Sequence, residues 1–256
     1  MFKDEYKAME NAGVAKVALL DNNIRAYIVS SLMAGAFIGI GVMLMSTVGA
    51  YAAGTPYVKL AMGVVFSVAL SLVVIAGAEL FTGNNMVVMA SVLRGRVTVG
   101  KMLKLWIICF IANWIGSIIA ACVFTGTGLA NADVGLFISN VTATKMAVPV
   151  GQLICRGILC NFLVCLAVWC GFRCKSEAAK LIMIIWCITS FVSCGFEHSI
   201  ANMTMLTVGM LKANSLGVAG VTIGGYFYNI LTVAFGNIIG GALCVAIPYG
   251  IVSKDK

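Results

Sequence analysis

Charged side chains are scarce in this chain of 256 residues, since Asp, Glu, Lys and Arg make up only 10% of it. A soluble domain contains about 25% of such residues, so the composition excludes a soluble globular protein. Hydrophobic residues reach 61%, and the mean hydropathy is +1.05. We therefore predict an all-α integral membrane protein with room for six spans of about 20 residues each.

Histidine occurs once, as His198, and the ten cysteines include no Cys-x-x-Cys pair. A zinc site needs about four Cys, His or carboxylate ligands, whereas only Glu79 and Glu197 accompany the histidine within apolar segments. We interpret the cysteines as small packing residues. Because no nucleophile–base pair is recognisable either, we predict no metal, no cofactor and no enzymatic activity.

Proline is also rare, at Pro56, Pro149 and Pro248 only. The Asn-Pro-Ala motifs of an aquaporin-type pore for neutral solutes are absent, which excludes that class. A signal peptide is not expected, because residues 1–23 have mixed charge and lack both an apolar core and a small-residue cleavage site.

The amino-terminal segment instead has an amphipathic pattern, with Tyr6, Met9, Gly13 and Leu20 near one helical stripe. We predict an amphipathic helix over residues 1–23, followed by a membrane domain over residues 24–253. Such a helix either covers the inner mouth of a pore or lies on the membrane surface, and the sequence leaves both possibilities open.

Basic residues alternate with the apolar runs, and thirteen of the seventeen fall into four clusters. We place Lys59, Lys145 and Lys212 in the intervening loops. This alternation follows the positive-inside rule and predicts an even number of spans with both termini in the cytoplasm. It also explains the net charge of +8 without a nucleic-acid partner. The clusters are Lys3, Lys7, Lys16 and Arg25; Arg94, Arg96, Lys101 and Lys104; Arg173, Lys175 and Lys180; and Lys254 with Lys256.

Two of the apolar runs are too long for one span and are interrupted by polar residues. The interruptions run from Glu79 to Asn84 and from Glu197 to Asn202, in the middle helix of each half of the chain. Three spans per half make the second half inverted, so we predict two inverted repeats over about 24–128 and 145–253, a layout typical of transporters and channels. The six predicted spans lie near 26–49, 57–92, 102–125, 148–172, 180–210 and 221–252.

A second pair of similar motifs supports the internal duplication of the chain. The motif Phe110-Ile-Ala-Asn-Trp-Ile-Gly116 in the third predicted span resembles Ala234-Phe-Gly-Asn-Ile-Ile-Gly240 in the sixth. The two motifs stand at corresponding places in the two halves, as the two interruptions do.

A helix breaks inside a membrane only where its freed amide and carbonyl groups find partners or water. Two matching breaks therefore predict a polar cavity near the midplane, faced by the positive ends of new half-helices, which favours an anion. We interpret Asn84 and Ser199 as the caps of these half-helices. Glu79 and Glu197 are costly to ionise in lipid, so we predict a structural role in which they accept hydrogen bonds from the freed amides.

Helical spacing indicates which side chains share a face. Arg156 lies about 140° around its helix from Asn161, so we predict Arg156 at a helix or subunit contact rather than in a pore. His198 faces either the cavity or a backbone partner in the core, and Thr82 either the cavity or its own helix. The sets that share a face are Phe191, Cys194 and His198; Phe66 and Leu70; and Asn161 and Val164.

Two strings together identify a resemblance. Gly195-Phe-Glu-His-Ser-Ile-Ala-Asn-Met203 and Ala78-Glu-Leu-Phe-Thr82 resemble the motifs of the formate/nitrite transporter family, and the likeness covers essentially the whole chain. Within the family the chain is most similar to the hydrosulfide channel branch. The resemblance implies an aquaporin-like homopentamer with one pore per protomer, in the plasma membrane of a bacterium.

The resemblance also implies roles for single residues. His198, Thr82, Asn161 and Lys145 match substrate-pathway positions of the family. Of the constriction positions, the cytoplasmic ones match Leu70 and Phe191, and the outer ones match Phe66, Phe81 and Val164. We assign Glu79, Glu197, Asn84 and Asn202 structural roles at the helix breaks.

Together these features lead to a hypothesis for transport. An ion loses hydration at an apolar constriction, at an effective penalty of several kcal/mol, whereas a neutral weak acid loses far less. We expect a channel for small monovalent anions of weak acids, such as hydrosulfide, formate and nitrite, with Lys145 attracting the anion and His198 assisting protonation. Two alternatives remain: His198 acts only as a neutral hydrogen-bond donor, or the protein is a proton-coupled secondary transporter for formate or nitrite.

Overall fold

A computed structural model of the protein describes residues 1–254, so Lys256 of the last basic cluster lies outside the described residues. Within residues 1–254, six helical segments are long and apolar enough to cross a membrane, which confirms the predicted all-α membrane class. The helices are α1 (Lys3–Asn22), α2 (Ile24–Tyr51), α3 (Val58–Ser71), α4 (Phe81–Leu93), α5 (Val99–Gly126), α6 (Ala132–Met146), α7 (Val150–Arg173), α8 (Glu177–Cys194), α9 (Ser199–Lys212), α10 (Ile223–Ile238) and α11 (Ile247–Val252).

The spans form two halves of three. The first half contains α2, then α3 with α4, then α5; the second contains α7, then α8 with α9, then α10 with α11. A π-helical segment, Leu72–Gly77, continues α3, and another, Ile239–Ala246, joins α10 to α11. Because each half has an odd number of spans, the second half is inverted. The two interrupted helices therefore enter from opposite faces, and α3 packs along α8.

Each interruption begins at a glycine with positive φ, Gly77 at +83° and Gly195 at +77°. Residues with a Cβ rarely adopt this conformation. The chain then runs extended over 78–80 and over 196–198 before α4 and α9 begin. Counting from the two glycines superposes the two interruptions residue by residue, and Leu80 then corresponds to His198.

Helix α6 connects the two halves and was not predicted. The sequence analysis placed Lys145 in a loop, but it lies in the last turn of α6. Likewise, Lys59 lies in the first turn of α3 and Lys212 at the end of α9. The buried residues of α6 alternate apolar side chains (Val134, Ile138 and Met146) with small or polar ones (Gly135, Ser139 and Thr142), which weakens the apolar signal of the stripe. We call the face that carries this helix the α6 face.

Helix α1 lies on the opposite face, which we call the amino-terminal face. It packs against α4 through a stripe of small and apolar residues, and the Ser91 hydroxyl of α4 donates a hydrogen bond to the Glu10 carbonyl at 2.7 Å. The stripe is therefore buried in the protein rather than in a membrane surface. Its members are Tyr6, Met9, Gly13, Val17 and Leu20.

Helices α2 and α5 touch backbone to backbone at Gly35 and Gly116. A Cβ on Gly35 would overlap the Asn113 carbonyl oxygen, and one on Gly116 would overlap that of Leu32, so each substitution forces the two backbones apart. Membrane helices rely on such small residues for close packing.

We expect Gly35→Ala to lower the folded yield and the thermal midpoint in detergent, because overpacking costs about 1–3 kcal/mol. Fluorescence-detected size exclusion after heating measures the midpoint. Gly151→Ala is the matched control, because nothing lies within 4 Å of a Cβ built there. Equal midpoints for the two variants would contradict the close packing.

Candidate functional site

Two asparagine side chains form hydrogen bonds with the backbone groups at the two helix interruptions. The Asn113 Oδ1 accepts a hydrogen bond from the Phe81 amide at 2.9 Å, and its Nδ2 donates to the carbonyls of Ser31 at 2.7 Å and Glu79 at 2.9 Å. Each bond pairs a backbone group that the break or a close approach would otherwise leave without a partner. Asn113 is fully buried.

Asn237 repeats this arrangement at the second break. Its Oδ1 accepts from the Ser199 amide at 2.9 Å, and its Nδ2 donates to the carbonyls of Gly157 at 2.8 Å and Glu197 at 3.0 Å. The sequence analysis found both asparagines as a repeated motif but gave them no role. The freed amides thus bond to asparagine amides, not to the glutamates as predicted.

The glutamates bind side chains instead. Glu79 accepts from the Lys16 ammonium at 2.7 Å and from Asn84 Nδ2 at 2.9 Å. Lys16 reaches this break from α1, and the sequence gave no sign of the contact. The predicted capping role of Asn84 is therefore wrong, because its amide donates to the carboxylate and to the Tyr27 hydroxyl.

The second break has the matching network. Glu197 accepts from the Lys145 ammonium and from Asn202 Nδ2, both at 2.7 Å. The predicted capping role of Ser199 is also wrong: the cap of α9 is His198, whose Nδ1 accepts from the Ala201 amide at 3.2 Å. Each buried carboxylate thus has a cation from a helix outside the spans, α1 for one and α6 for the other.

The imidazole of His198 joins the two breaks. Its Nε2 lies 3.2 Å from the Thr82 hydroxyl, at the start of α4. Because Nδ1 accepts a backbone hydrogen bond, the proton of the neutral ring belongs on Nε2, which donates to Thr82. The Thr82 hydroxyl then keeps its own hydrogen to donate elsewhere. Both residues are buried.

Asn161 stands behind this pair and does not face the pathway. It is fully buried, and its Nδ2 donates to the carbonyls of Thr82 at 3.1 Å and Asn237 at 2.6 Å. The carbonyl of Asn237 is available because the helix becomes π-helical two residues later. The placement of Asn161 in the substrate pathway is therefore corrected: it positions the backbone that carries Thr82.

Three cavities lie along one line through the protein. A vestibule of about 380 Å³ opens toward the α6 face, and one of about 360 Å³ opens toward the amino-terminal face. Between them lies a chamber of about 10 Å³. His198 borders both the chamber and the α6-face vestibule.

Side chains that border two cavities define the constrictions. Phe66, Phe191 and His198 border both the chamber and the α6-face vestibule, and the two phenylalanine rings meet edge to face at 5.9 Å. Leu70 and Leu80 border both the chamber and the other vestibule. Phe191, which was predicted at the same constriction as Leu70, thus borders the α6-face vestibule. Leu80 was missed because nothing distinguishes it from other leucines in the sequence.

The other two predicted constriction residues lie apart from these. Val164 lines the chamber itself. The Phe81 ring packs on Phe110 at 4.8 Å between centroids and borders none of the three cavities. The resemblance implied that Phe81 lies at the outer constriction, but its ring packs toward α5, the helix that carries Phe110.

Arg156 also departs from its prediction. It was placed at a helix or subunit contact, yet it lines the α6-face vestibule together with Lys59, Lys145 and Glu197. The angle around α7 was measured from Asn161, which the structure shows to be buried beside the pathway rather than in it. No group of three or more potential metal ligands occurs among the residues the structure describes.

Fold and site together define a class: an all-helical, multi-pass membrane protein whose inverted halves enclose a pathway with a single imidazole between two apolar constrictions. The chain belongs to the formate/nitrite transporter family, whose model matches residues 3–251. It is therefore a channel or transporter and not an enzyme.

Individual relatives are similar over nearly the full chain. The nitrite transporter NirC of Escherichia coli (strain K12) is 38% identical over 242 residues, which are 93% of this chain and 88% of NirC. A solved FNT family ion channel superposes with a TM-score of 0.93 at 32% identity, covering 99% of this chain and 100% of that one. A pentameric formate channel with formate bound gives 0.79 at 30% identity, covering 89% and 96%.

Proposed function

We propose that the protein is a channel for small monovalent anions of weak acids, assembled as a homopentamer in a bacterial inner membrane. Relatives that transport nitrite or conduct formate support the substrate class, and the pentameric formate channel supports the assembly. The basic clusters favour an orientation with the amino-terminal face in the cytoplasm. The observation that carries the proposal is His198, which borders a small chamber between two constrictions and whose Nε2 lies 3.2 Å from the Thr82 hydroxyl.

The anion crosses as a neutral acid. Four hydrophobic side chains form the constrictions, so a bare anion meets a desolvation penalty of several kcal/mol there. Because Nδ1 of His198 accepts the Ala201 amide, a proton on Nδ1 would face a second donor. This geometry supports a neutral imidazole that donates from Nε2, while the proton reaches the anion from vestibule water.

The chamber size favours hydrosulfide over the larger candidates. A cavity needs roughly 10–15 Å³ by this measure to hold one water, and the chamber provides about 10 Å³. Hydrogen sulfide has one heavy atom, whereas formic and nitrous acid have three, so for those acids the phenylalanine and leucine side chains must move further.

Uptake of hydrosulfide, formate, nitrite and chloride by proteoliposomes at equal driving force tests the proposal. We expect the three weak-acid anions to pass and chloride to be excluded, because its acid stays ionised. Chloride flux equal to that of the others would overturn the neutral-acid route.

A proton-coupled secondary transporter is the second candidate. The chamber lies between two constrictions, an arrangement that an alternating-access carrier also passes through. Both routes move one proton with each anion, so kinetics must separate them: a carrier saturates at low anion concentration and shows counterflow driven by unlabelled formate or nitrite on the opposite side, whereas a channel does neither.

We expect His198→Asn to lower flux by about 10²-fold or more, because it removes the imidazole that borders the chamber together with its Nε2–Thr82 hydrogen bond, at a site where positioned donors are strongly effective. The pH dependence of the remaining flux distinguishes the two roles of the histidine. A neutral donor leaves the profile unchanged in shape, since the proton comes from water. A profile that loses a titration step in the variant would assign proton transfer to the imidazole, and an unchanged rate would remove both roles.

A further inference from the structure

The α6-face vestibule contains two cations that no carboxylate in the described part of the chain neutralises, Lys59 and Arg156. Lys59 lies in the first turn of α3, whereas the Arg156 carbonyl accepts the Glu197 amide, so Arg156 is the one at the helix break. Its charged lining residues are Lys59, Lys145, Arg156 and Glu197. Lys145 and Glu197 pair at 2.7 Å and compensate each other. Arg156 donates from Nη2 to the Gln152 side chain at 3.2 Å, and among residues 1–254 no carboxylate lies within ion-pair distance of it. A guanidinium has five N–H donors, so most of them remain for a ligand.

The opposite vestibule differs at the corresponding position. The Glu197 amide donates to the Arg156 carbonyl, and the Glu79 amide donates to the Ser30 carbonyl, both at 3.3 Å. Ser30 therefore takes the place in the first half that Arg156 takes in the second. The charged lining residues described for the amino-terminal vestibule are Lys16 and Glu79, which compensate each other. An uncompensated charge within a vestibule thus occurs on one side of the pathway.

We propose that Arg156 is the capture site for anions that enter from the α6 face, an inference that rests on the proposed function. Arg156 takes this role instead of Lys145, because the Lys145 ammonium is already paired with Glu197. The planar fork of the guanidinium holds two oxygens of one anion at once. It therefore suits formate and nitrite, whose two terminal oxygens lie in one plane. Arg156 and His198 line the same vestibule, so the captured anion is already in the cavity that leads to the constriction.

The test is anion uptake into proteoliposomes whose orientation is known from protease cleavage of an amino-terminal tag. We expect Arg156→Gln to raise the half-saturation concentration for formate and nitrite entering from the α6 face by about tenfold or more, with the maximal rate unchanged. Arg156→Lys restores the affinity for hydrosulfide, which needs charge alone, and restores less of it for formate and nitrite. Lys212→Gln is the matched control, since Lys212 lies at the same face with its ammonium on Asn131.

Salt dependence provides a second measurement. Salt screens an exposed charge beyond about 8 Å at physiological ionic strength, so uptake from the α6 face falls more steeply with salt in the wild-type protein than in Arg156→Gln. An unchanged half-saturation concentration in Arg156→Gln, or equal salt dependence of the two proteins, overturns the capture role. Full recovery of formate and nitrite affinity in Arg156→Lys overturns the two-oxygen contact. Failure of the wild-type protein to pass any of the anions would instead overturn the proposed function.

Discussion

Asn237→Ala is expected to abolish the folded protein or to lower its thermal midpoint further than the loss of a glycine contact does. The substitution leaves the Ser199 amide and the Glu197 carbonyl without a partner, and it removes a second hydrogen bond from the Gly157 carbonyl inside α7. An unsatisfied buried polar group costs about 1–3 kcal/mol, so two of them cost about 2–6 kcal/mol. Size exclusion of heated, detergent-solubilised protein measures the effect.

Two further variants test whether the effect comes from the hydrogen bonds at the break. Asn113→Ala removes the same three kinds of bond at the first break, so we expect a loss of similar size. Asn140→Ala serves as the control, because Asn140 is an exposed asparagine on α6. If Asn237→Ala matched Asn140→Ala in yield and midpoint, the two asparagines would not be what holds the breaks open.

Glu197→Gln is expected to have the next largest effect. The Glu197 side chain is 4% exposed and that of Lys145 is 19% exposed, so the variant leaves an ammonium without its carboxylate in a largely dry place. Removing one partner of a buried ion pair costs about 3–5 kcal/mol. The thermal midpoint and the folded yield are the measurements.

The double variant Lys145→Gln with Glu197→Gln separates pairing from other effects. We expect it to be more stable than Glu197→Gln alone, because no uncompensated charge remains. Arg173→Gln is the control, since Arg173 meets Glu5 at 3.8 Å where both side chains are well exposed. Additive losses in the double variant would show that Lys145 and Glu197 contribute independently.

The fold could be predicted in large part because the membrane imposes a simple rule. Spans must be long and apolar, so an interruption by Glu79 or Glu197 stands out against its surroundings. Helix α6 was not predicted because it is too short and too polar to read as a span, and small or polar residues are mixed with the apolar ones in its buried stripe. The spans were visible in composition, whereas the connecting helix depended on tertiary packing.

The site could be predicted only as far as residue types carry chemistry. His198 is the only imidazole in the sequence, and the structure places it beside Thr82. The partners of the glutamates were out of reach, because Lys16 is 63 positions from Glu79 and Lys145 is 52 positions from Glu197. Whether Asn161 or Arg156 faces the pathway cannot be read from the sequence, because it depends on where the pathway lies relative to α7. The angle of Arg156 was measured from Asn161, which is buried beside the pathway, so it placed Arg156 away from the vestibule.

The correspondence of Leu80 with His198 has a consequence for direction. Both halves of the molecule have an asparagine bound to the backbone of the break and a carboxylate paired with a lysine. At this position, however, one half has an imidazole and the other an isobutyl group. A solute arriving from the α6 side meets a polar ring before the chamber, whereas one arriving from the amino-terminal side meets only methyl groups there. The energy profile along the pathway is therefore asymmetric, and a duplicated scaffold presents its polar and apolar groups in a different order to solutes that arrive from its two faces.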